Sequence, residues 1–432
     1  MQVAVYTLGC KVNQFESWAI EQAFQRLGCS IVPWKETADL YLVNTCAVTS
    51  KAAYQSRQII RRLKRQNPEA RIIATGCHVQ TDASIVLESV GPGVCLAGNE
   101  QKPHIPELAV QHQGCTGIYV SDISKVKTIS ALFLDRPPRQ RTRAYLRIQD
   151  GCNAFCSYCI VPYARGPSRS LAPELIFEQM DVFESAAIKE VVVTGIHVGH
   201  YGRDLKNNRD LFSIIKELCS RYPNIYFRLS SIEPTEISPE FIQWAASTKN
   251  FCQHFHISLQ SGSDRVLAAM NRAYTGALFQ ELVTFIKEYI PGCCIGTDVM
   301  TGFPTEKESD FEKTATLLKL SPVSYVHAFP YSPRPGTVAA AMDRSCPARE
   351  AKKRAAIIRQ IGHQKRQAFF ESFLGKRLEV LIEGRDKSTG LFTGHAPNYI
   401  PVLVQSSQDL KNKRVLVEIC ETKNGQVIGK LS

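Results

Sequence analysis

Short apolar runs of strand length recur along the chain, separated by longer amphipathic stretches. Over residues 1–135 three of them are VAVYTLGC (3–10), LYLVNTC (40–46) and RIIATGC (71–77). They read as strands of a mostly parallel sheet. The helical stretches between them predict an α/β domain. Each run ends in a cysteine, and open parallel sheets bind ligands outside the carboxyl ends of their strands. Cys10, Cys46 and Cys77 are therefore expected to converge on one crevice. Chance placement of three buried thiols is the alternative.

Beyond the proline-broken stretch Arg136-Pro137-Pro138, strand–helix units repeat over residues 143–371. The candidate strands are 144–149, 190–195, 225–230, 254–259, 294–300 and 325–331. Six units predict a partial (β/α) barrel, whose chemistry sits at the C-terminal ends of its strands. A basic helical segment, 348–374, leads into five short runs (377–383, 390–396, 399–405, 414–420 and 426–432). Five such strands predict a small β-barrel of a type often used on RNA; a capping or dimerising module is the other reading. The expected division is 1–135, 136–371 and 372–432.

Composition narrows the function. The 432 residues carry a net charge of +12, with 52 basic and 40 acidic side chains. The three regions hold +2, +7 and +3, so each is mildly basic. That suits a partner with a phosphate backbone, or solubility alone. The arginines at 136, 139, 141 and 143 have no acid among them and are a candidate phosphate contact or a solvated linker. No apolar run approaches the roughly 20 residues that span a bilayer. The opening MQVAVYTLGCKVN lacks a basic region followed by an apolar one and reads as a strand, not a signal peptide. A cytoplasmic protein with no membrane partner is expected. Fifteen cysteines, an odd number, argue against a disulfide scaffold and for cluster or metal ligands beside inert thiols.

The first barrel strand is followed by Gly151-Cys152-Asn153-Ala154-Phe155-Cys156-Ser157-Tyr158-Cys159. Iron–sulfur clusters usually take four thiolates, so three leave one iron of a [4Fe–4S] cluster open to an exogenous ligand. Structural zinc would need a fourth protein ligand, and three cysteines without a nearby histidine make an odd catalytic zinc set.

This loop, with Tyr158 before its last cysteine, resembles that of radical S-adenosylmethionine (SAM) enzymes. The resemblance extends over nearly the whole chain to the methylthiotransferases. It is carried by LGCKVNQFES (8–17), NTCAVT (44–49), TGC (75–77), IQDGCNAFCSYCIVPYARG (148–166), VVTGIHVGHYG (192–202), RLSSIEP (228–234), HISLQSGSDRVLAAMNR (256–272) and GFPTEKESDF (302–311). It implies an auxiliary [4Fe–4S] cluster on Cys10, Cys46 and Cys77, a SAM-binding [4Fe–4S] cluster on Cys152, Cys156 and Cys159, and a carboxy-terminal TRAM domain that binds RNA. It further implies that one SAM methylates a sulfur at the auxiliary cluster. A second SAM yields a 5′-deoxyadenosyl radical that takes hydrogen from the substrate before methylthio transfer. An aromatic C–H is not acidic enough for an ordinary base, which explains the radical.

SAM contacts are expected from Tyr158, Thr194, Gly195, Glu233, Gln260, Ser261 and Asp298, at or near strand ends, though each also suits an ordinary loop or core position. His197 and His200 follow the second barrel strand, lining the site or lying on a loop surface. The other cysteines (29, 95, 115, 219, 252, 293, 294, 346 and 420) follow no ligand spacing and are expected to be inert. A helix over 51–66 capped by Ser50 carries Arg57, Arg61, Arg62, Lys64 and Arg65, a candidate tRNA clamp or a solvated face. Three family branches modify isopentenylated adenosine or threonylcarbamoyladenosine beside the tRNA anticodon, or an aspartate of a ribosomal protein. GCKVNQFES and TGIHVGHYG look most like the threonylcarbamoyladenosine branch. Its substrate bears a carboxylate, so a cation is expected from Arg165, Arg169 or Arg334. The implied partners are the tRNA anticodon stem-loop and an electron donor such as a flavodoxin or ferredoxin. A non-catalytic Fe–S scaffold or RNA-binding protein is the reading from another class.

Overall fold

The opening apolar runs form a parallel sheet. In the computed structural model, which describes residues 1–111, 117–130, 132–138, 142–206, 209–423 and 425–432, six strands lie in the order Ser30–Val32, Gln2–Thr7, Leu40–Thr45, Arg71–Gly76, Val94–Ala97, Gly117–Tyr119. Leu40, Leu42, Val43 and Ala74 are fully buried, as helices cover both faces. The first strand in sequence pairs with Ser30–Val32 on one side and Leu40–Thr45 on the other. The chain therefore reverses direction of travel across the sheet beside it, the place where α/β sheets open a crevice.

The six expected barrel strands are all present: Arg143–Arg147, Glu190–Thr194, Tyr226–Leu229, His254–His256, Cys294–Thr301 and Tyr325–Pro330. They are parallel and run in chain order, with single bridges Phe227–Phe251 and Ile232–Ile257 joining the two halves. The run at 254–259 is paired as a strand only to His256. Beyond it Ile257 and Gln260 make isolated bridges. No pairing joins the first strand to the last among the described residues, so the barrel is open on one side.

The amino-terminal domain spans that opening. Trp18 stacks on Tyr145 of the first strand at 5.1 Å between ring centroids. Past the last strand, Ser332 Oγ accepts from the Ser50 amide at 3.0 Å, and Ser50 Oγ donates to the Pro333 carbonyl. Ser50 is thus not the helix cap. Thr49 caps the helix Ser50–Gln66, its hydroxyl accepting from the Ala52 amide.

The helix Ala348–Glu371 leads to a closed five-stranded barrel of Arg377–Arg385, Phe392–His395, Pro401–Val404, Gln426–Leu431 and Arg414–Lys423. This module closes the end of the large barrel where the strands begin. Glu190, the first residue of its strand and buried, binds Arg143 at 2.8 Å and Arg228 at 2.7 Å. Arg143 also reaches Glu383 at 2.7 Å, and Arg228 donates to the Pro397 carbonyl at 3.0 Å. Arg143 is therefore a half-buried tie between modules, not a free phosphate contact. Arg136 bonds Gln25, while Arg139, Arg141 and Cys115 lie outside the described residues.

Candidate active site

Cys46 and Cys77 directly follow the strands Leu40–Thr45 and Arg71–Gly76, and Cys10 stands three residues past the neighbouring strand Gln2–Thr7. Two glycines with positive φ permit their approach. A Cβ on Gly9 (φ 103°) would stand 3.1 Å from Cys46 Sγ, and one on Gly76 (φ 98°) 2.5 Å from the Thr45 carbonyl oxygen. Asn13 ties the loops together, its amide donating to the Leu8 carbonyl at 2.7 Å and the Thr45 carbonyl at 3.1 Å. Burial, with Cys77 and Cys10 close by, pushes the Cys46 thiol up to about 11, and burial with Cys77 close by also raises Cys10.

Arg165 lies against this group. It is fully buried; its Nε points at Cys77 Sγ at 3.4 Å, and its guanidinium binds Glu16, Asn13 and Asp150. Arg147 reaches the same two acids at 3.5 and 3.7 Å, Lys102 bonds Glu16, and Arg169 lies 3.6 Å from Asp150. Four buried cations thus share two carboxylates. A buried excess of positive charge is costly without a counter-anion, and three thiolates carrying an iron–sulfur cluster are such an anion. The donor set fits the group on this ground as well as on its thiol chemistry.

The expectation that Arg165 and Arg169 meet substrate is corrected here. Both are buried in the contact between domain and barrel and committed to Glu16 and Asp150, Arg169 also donating to the Arg165 carbonyl. Their acids went unnoticed in the sequence, although Glu16 and Asp150 stand inside the quoted motifs. Arg334 is also buried, 3.3 Å from Asp82, on the Cys46 side of the crevice.

The second cysteine group is shaped by Gln149. Its amide donates to the Asp150 carbonyl, the Gly151 carbonyl and Ser168 Oγ at 2.7–2.9 Å, and its oxygen accepts the His197 amide at 2.8 Å. A Cβ on Gly151 (φ 75°) would meet the Pro167 carbonyl oxygen at 1.9 Å, so the loop needs glycine there. Backbone N–H groups of Ala154 and Val161 point at Cys152 Sγ and Cys159 Sγ at 3.5 and 3.4 Å, the donors a thiolate accepts. Burial holds the Cys159 thiol at about 12. Cys152 Sγ lies 3.3 Å from His197 Nδ1, whose ring stacks on His200. Burial alone would lower His197, but hydrogen bonds to Cys152 and Glu236 carry it up to about 10. His197 therefore lines the site beside a cysteine, and Glu236 is a partner the sequence did not single out.

Arg272 joins several predicted positions. It donates to Tyr158 Oη at 2.7 Å, pairs with Glu233, and with Glu233 lies close enough to act on the Cys156 thiol. Gly195 lies against Gln149, where a Cβ would be 2.7 Å from the amide oxygen, and the Thr194 carbonyl accepts from the Ile148 amide at 3.0 Å. Gln260 is buried at φ 63°, its side-chain oxygen without a hydrogen bond, and its amide donates to the Asp298 carbonyl. Asp298 faces His256 and His327 at 3.3 and 3.4 Å. Ser261 turns instead toward Thr314 on the helix behind the sheet, at 3.4 Å. Of the basic helix, Arg57 bonds His78, Arg61 bonds Ser89, and Lys64 donates to the Val90 carbonyl; only part of its charge is free.

A partial parallel barrel with three cysteines on the loop after its first strand, backed by an α/β domain with three more, defines a radical SAM enzyme with a second cluster domain. Residues 146–318 match the family described as the Radical SAM superfamily, and residues 2–96 match the uncharacterized protein family UPF0004. The chain is 37% identical to a threonylcarbamoyladenosine tRNA methylthiotransferase MtaB of Aquifex aeolicus, over 88% of this chain and 93% of that one. Identity to the Bacillus subtilis protein of that name is 36%, over 96% and 93%. To a tRNA-2-methylthio-N(6)-dimethylallyladenosine synthase of Thermus thermophilus it is 31%, over 94% and 87%. Among solved structures, the radical SAM methyltransferase TsrM of Kitasatospora setae shares the fold at TM-score 0.60 and 13% identity, over 78% and 77% of the two chains. The chain belongs to the radical SAM methylthiotransferase family. It is a tRNA-modifying enzyme whose cofactors are SAM and two [4Fe–4S] clusters, so the scaffold reading falls away. No described helix is long and apolar enough to cross a membrane.

Proposed function

We propose that this enzyme places a methylthio group on C2 of N6-threonylcarbamoyladenosine beside the tRNA anticodon. The observation that carries the reading is identity to the relatives: 31–37% to five named for that nucleoside, four of them at 34% or more, against 30–31% to three named for dimethylallyladenosine. In this reading Cys10, Cys46 and Cys77 hold the auxiliary cluster, and Cys152, Cys156 and Cys159 the SAM-binding one. When bound, the latter supplies the one-electron chemistry that makes hydrogen abstraction from an unactivated C–H possible.

The chain's own residues orient and enclose. Gln149 fixes the cluster loop, Arg272 and Glu233 set the charge beside Cys156, and the buried Arg165 network holds the two cysteine groups on facing walls. A base in the anticodon loop leaves its stack at low cost. We assign the carboxy-terminal barrel to tRNA binding, divide the chain at 135/136 and 371/372, and assign electron delivery to a flavodoxin or ferredoxin.

The test is anaerobic incubation with SAM, reductant and anticodon stem-loops bearing threonylcarbamoyl-, isopentenyl- or unmodified adenosine, followed by mass spectrometry of the nucleosides. Methylthiolation of the threonylcarbamoyl form alone is expected. Turnover of only the isopentenyl form would move the enzyme to the neighbouring branch. Cluster content follows from the same reading: about eight irons per chain after reconstitution, halved on replacing Cys152, Cys156 and Cys159 together. Iron near four per unaltered chain, or tightly held zinc, contradicts it.

A further inference from the structure

Lys11 follows the candidate cluster ligand Cys10 and occupies the first position of the helix Lys11–Arg26. That is a poor place for a lysine. The helix N-terminus carries positive partial charge, which favours acids and disfavours cations, and this first turn has no acid. The side chain is solvent-accessible, yet its electrostatic neighbours lie on the barrel strands: Arg143, Glu190 and Arg228, with His254 and His256 also feeling its charge. It therefore faces the barrel lumen across the crevice.

The ammonium of Lys11 makes no hydrogen bond and no ion pair among the described residues. The other cations of the crevice are taken. Arg143 and Arg228 share Glu190, Arg165 and Lys102 share Glu16, Arg272 binds Glu233, and Arg334 binds Asp82. Glu190, the one carboxylate among the strand residues near Lys11, is held by those two guanidiniums. Lys11 is thus a cation set among cations, at a helix end that repels it, with an open face toward the lumen. An anion arriving there would relieve both repulsions.

We propose that Lys11 binds the carboxylate of the substrate's threonyl group and selects the threonylcarbamoyl nucleoside. The inference rests on the substrate reading above. On an adenine ring C2 and N6 are separate positions. With C2 presented between the two cysteine groups, the N6 substituent extends along the lumen, toward the residues that Lys11 faces. An isopentenyl group at N6 offers no charge to this site and gains nothing from the lysine, so the difference in affinity favours the acid.

The test compares an anticodon stem-loop carrying threonylcarbamoyladenosine with one whose carboxylate is replaced by the neutral carboxamide. Equilibrium binding by fluorescence anisotropy and kcat/KM are both measured. The unaltered enzyme should favour the acid by about 10- to 100-fold, the range of a hydrogen bond to a charged group. Lys11→Gln should abolish the preference, and Lys11→Arg should keep most of it. The preference is a ratio within one protein, so a general loss of activity or of cluster does not imitate the result. An unaltered enzyme that prefers the acid, with Lys11→Gln preferring it equally, overturns the role of Lys11 alone. An unaltered enzyme that turns over only the isopentenyl loop overturns the substrate reading, and this inference with it.

Discussion

Cys46→Ala should stop methylthio transfer while leaving reductive cleavage of SAM in place; Cys156→Ala should stop both. The two cysteine groups stand on separate elements. Cys46 directly follows a strand of the parallel sheet, and Cys156 sits on the loop after the first barrel strand. Each group has its own support: Gly9, Gly76 and Asn13 for one, Gln149 and Gly151 for the other. Loss of Cys46 removes one ligand from the first group and touches none of the hydrogen bonds that shape the second. Formation of 5′-deoxyadenosine, followed by chromatography in the presence of SAM and dithionite, reports on the barrel group alone. Nucleoside mass spectrometry reports on both. Expected for Cys46→Ala is product below about 1% of normal, with 5′-deoxyadenosine still formed. Product at the normal rate from that variant would mean the amino-terminal cysteines are structural thiols.

The elements that bear the ligands could be read from the chain because their signals are local. A buried parallel strand is a short apolar run, and a cysteine at its end is visible without knowing what packs on it. All six barrel strands and all five tail strands are read this way, since each is a few apolar residues between turn-formers. What stayed hidden are the pairings between distant segments. Arg165 looked like a free cation because Glu16 is 149 positions away in sequence. Arg143 looked like linker charge because its partners are distant in sequence, Glu190 on the neighbouring barrel strand and Glu383 in the carboxy-terminal barrel. Lys11 drew no notice for the converse reason. Only when every neighbouring cation is seen to have an acid does a lysine without one stand out. Glycine constraints fall between these cases, since the quoted motifs contain Gly9, Gly76 and Gly151, but the atoms they make room for come from other loops.

Glu16→Gln should destabilise the junction of the two domains by about 3–5 kcal/mol, the usual cost of removing one partner from a buried ion pair. Glu16 is fully enclosed and held well below the ordinary carboxylate range; burial opposes its charge, but Arg165, Lys102 and Arg147 more than compensate. Glutamine keeps the shape and loses the charge, leaving Asp150 the only acid among four buried cations. The expected readings are a lower first transition on heating and faster amide exchange in the helix Lys11–Arg26 and the cluster loop. Iron should be lost preferentially from the amino-terminal cysteines, because Arg165 bridges Glu16 and Cys77. Adding Arg165→Met to Glu16→Gln removes one cation along with the acid. If the network acts as a unit, the double variant should be less destabilised than the two single losses together, by about 0.5–3 kcal/mol. Strictly additive losses would mean that Glu16 and Arg165 are stabilised independently, and that charge balance at this junction does not govern how the auxiliary cysteines are held.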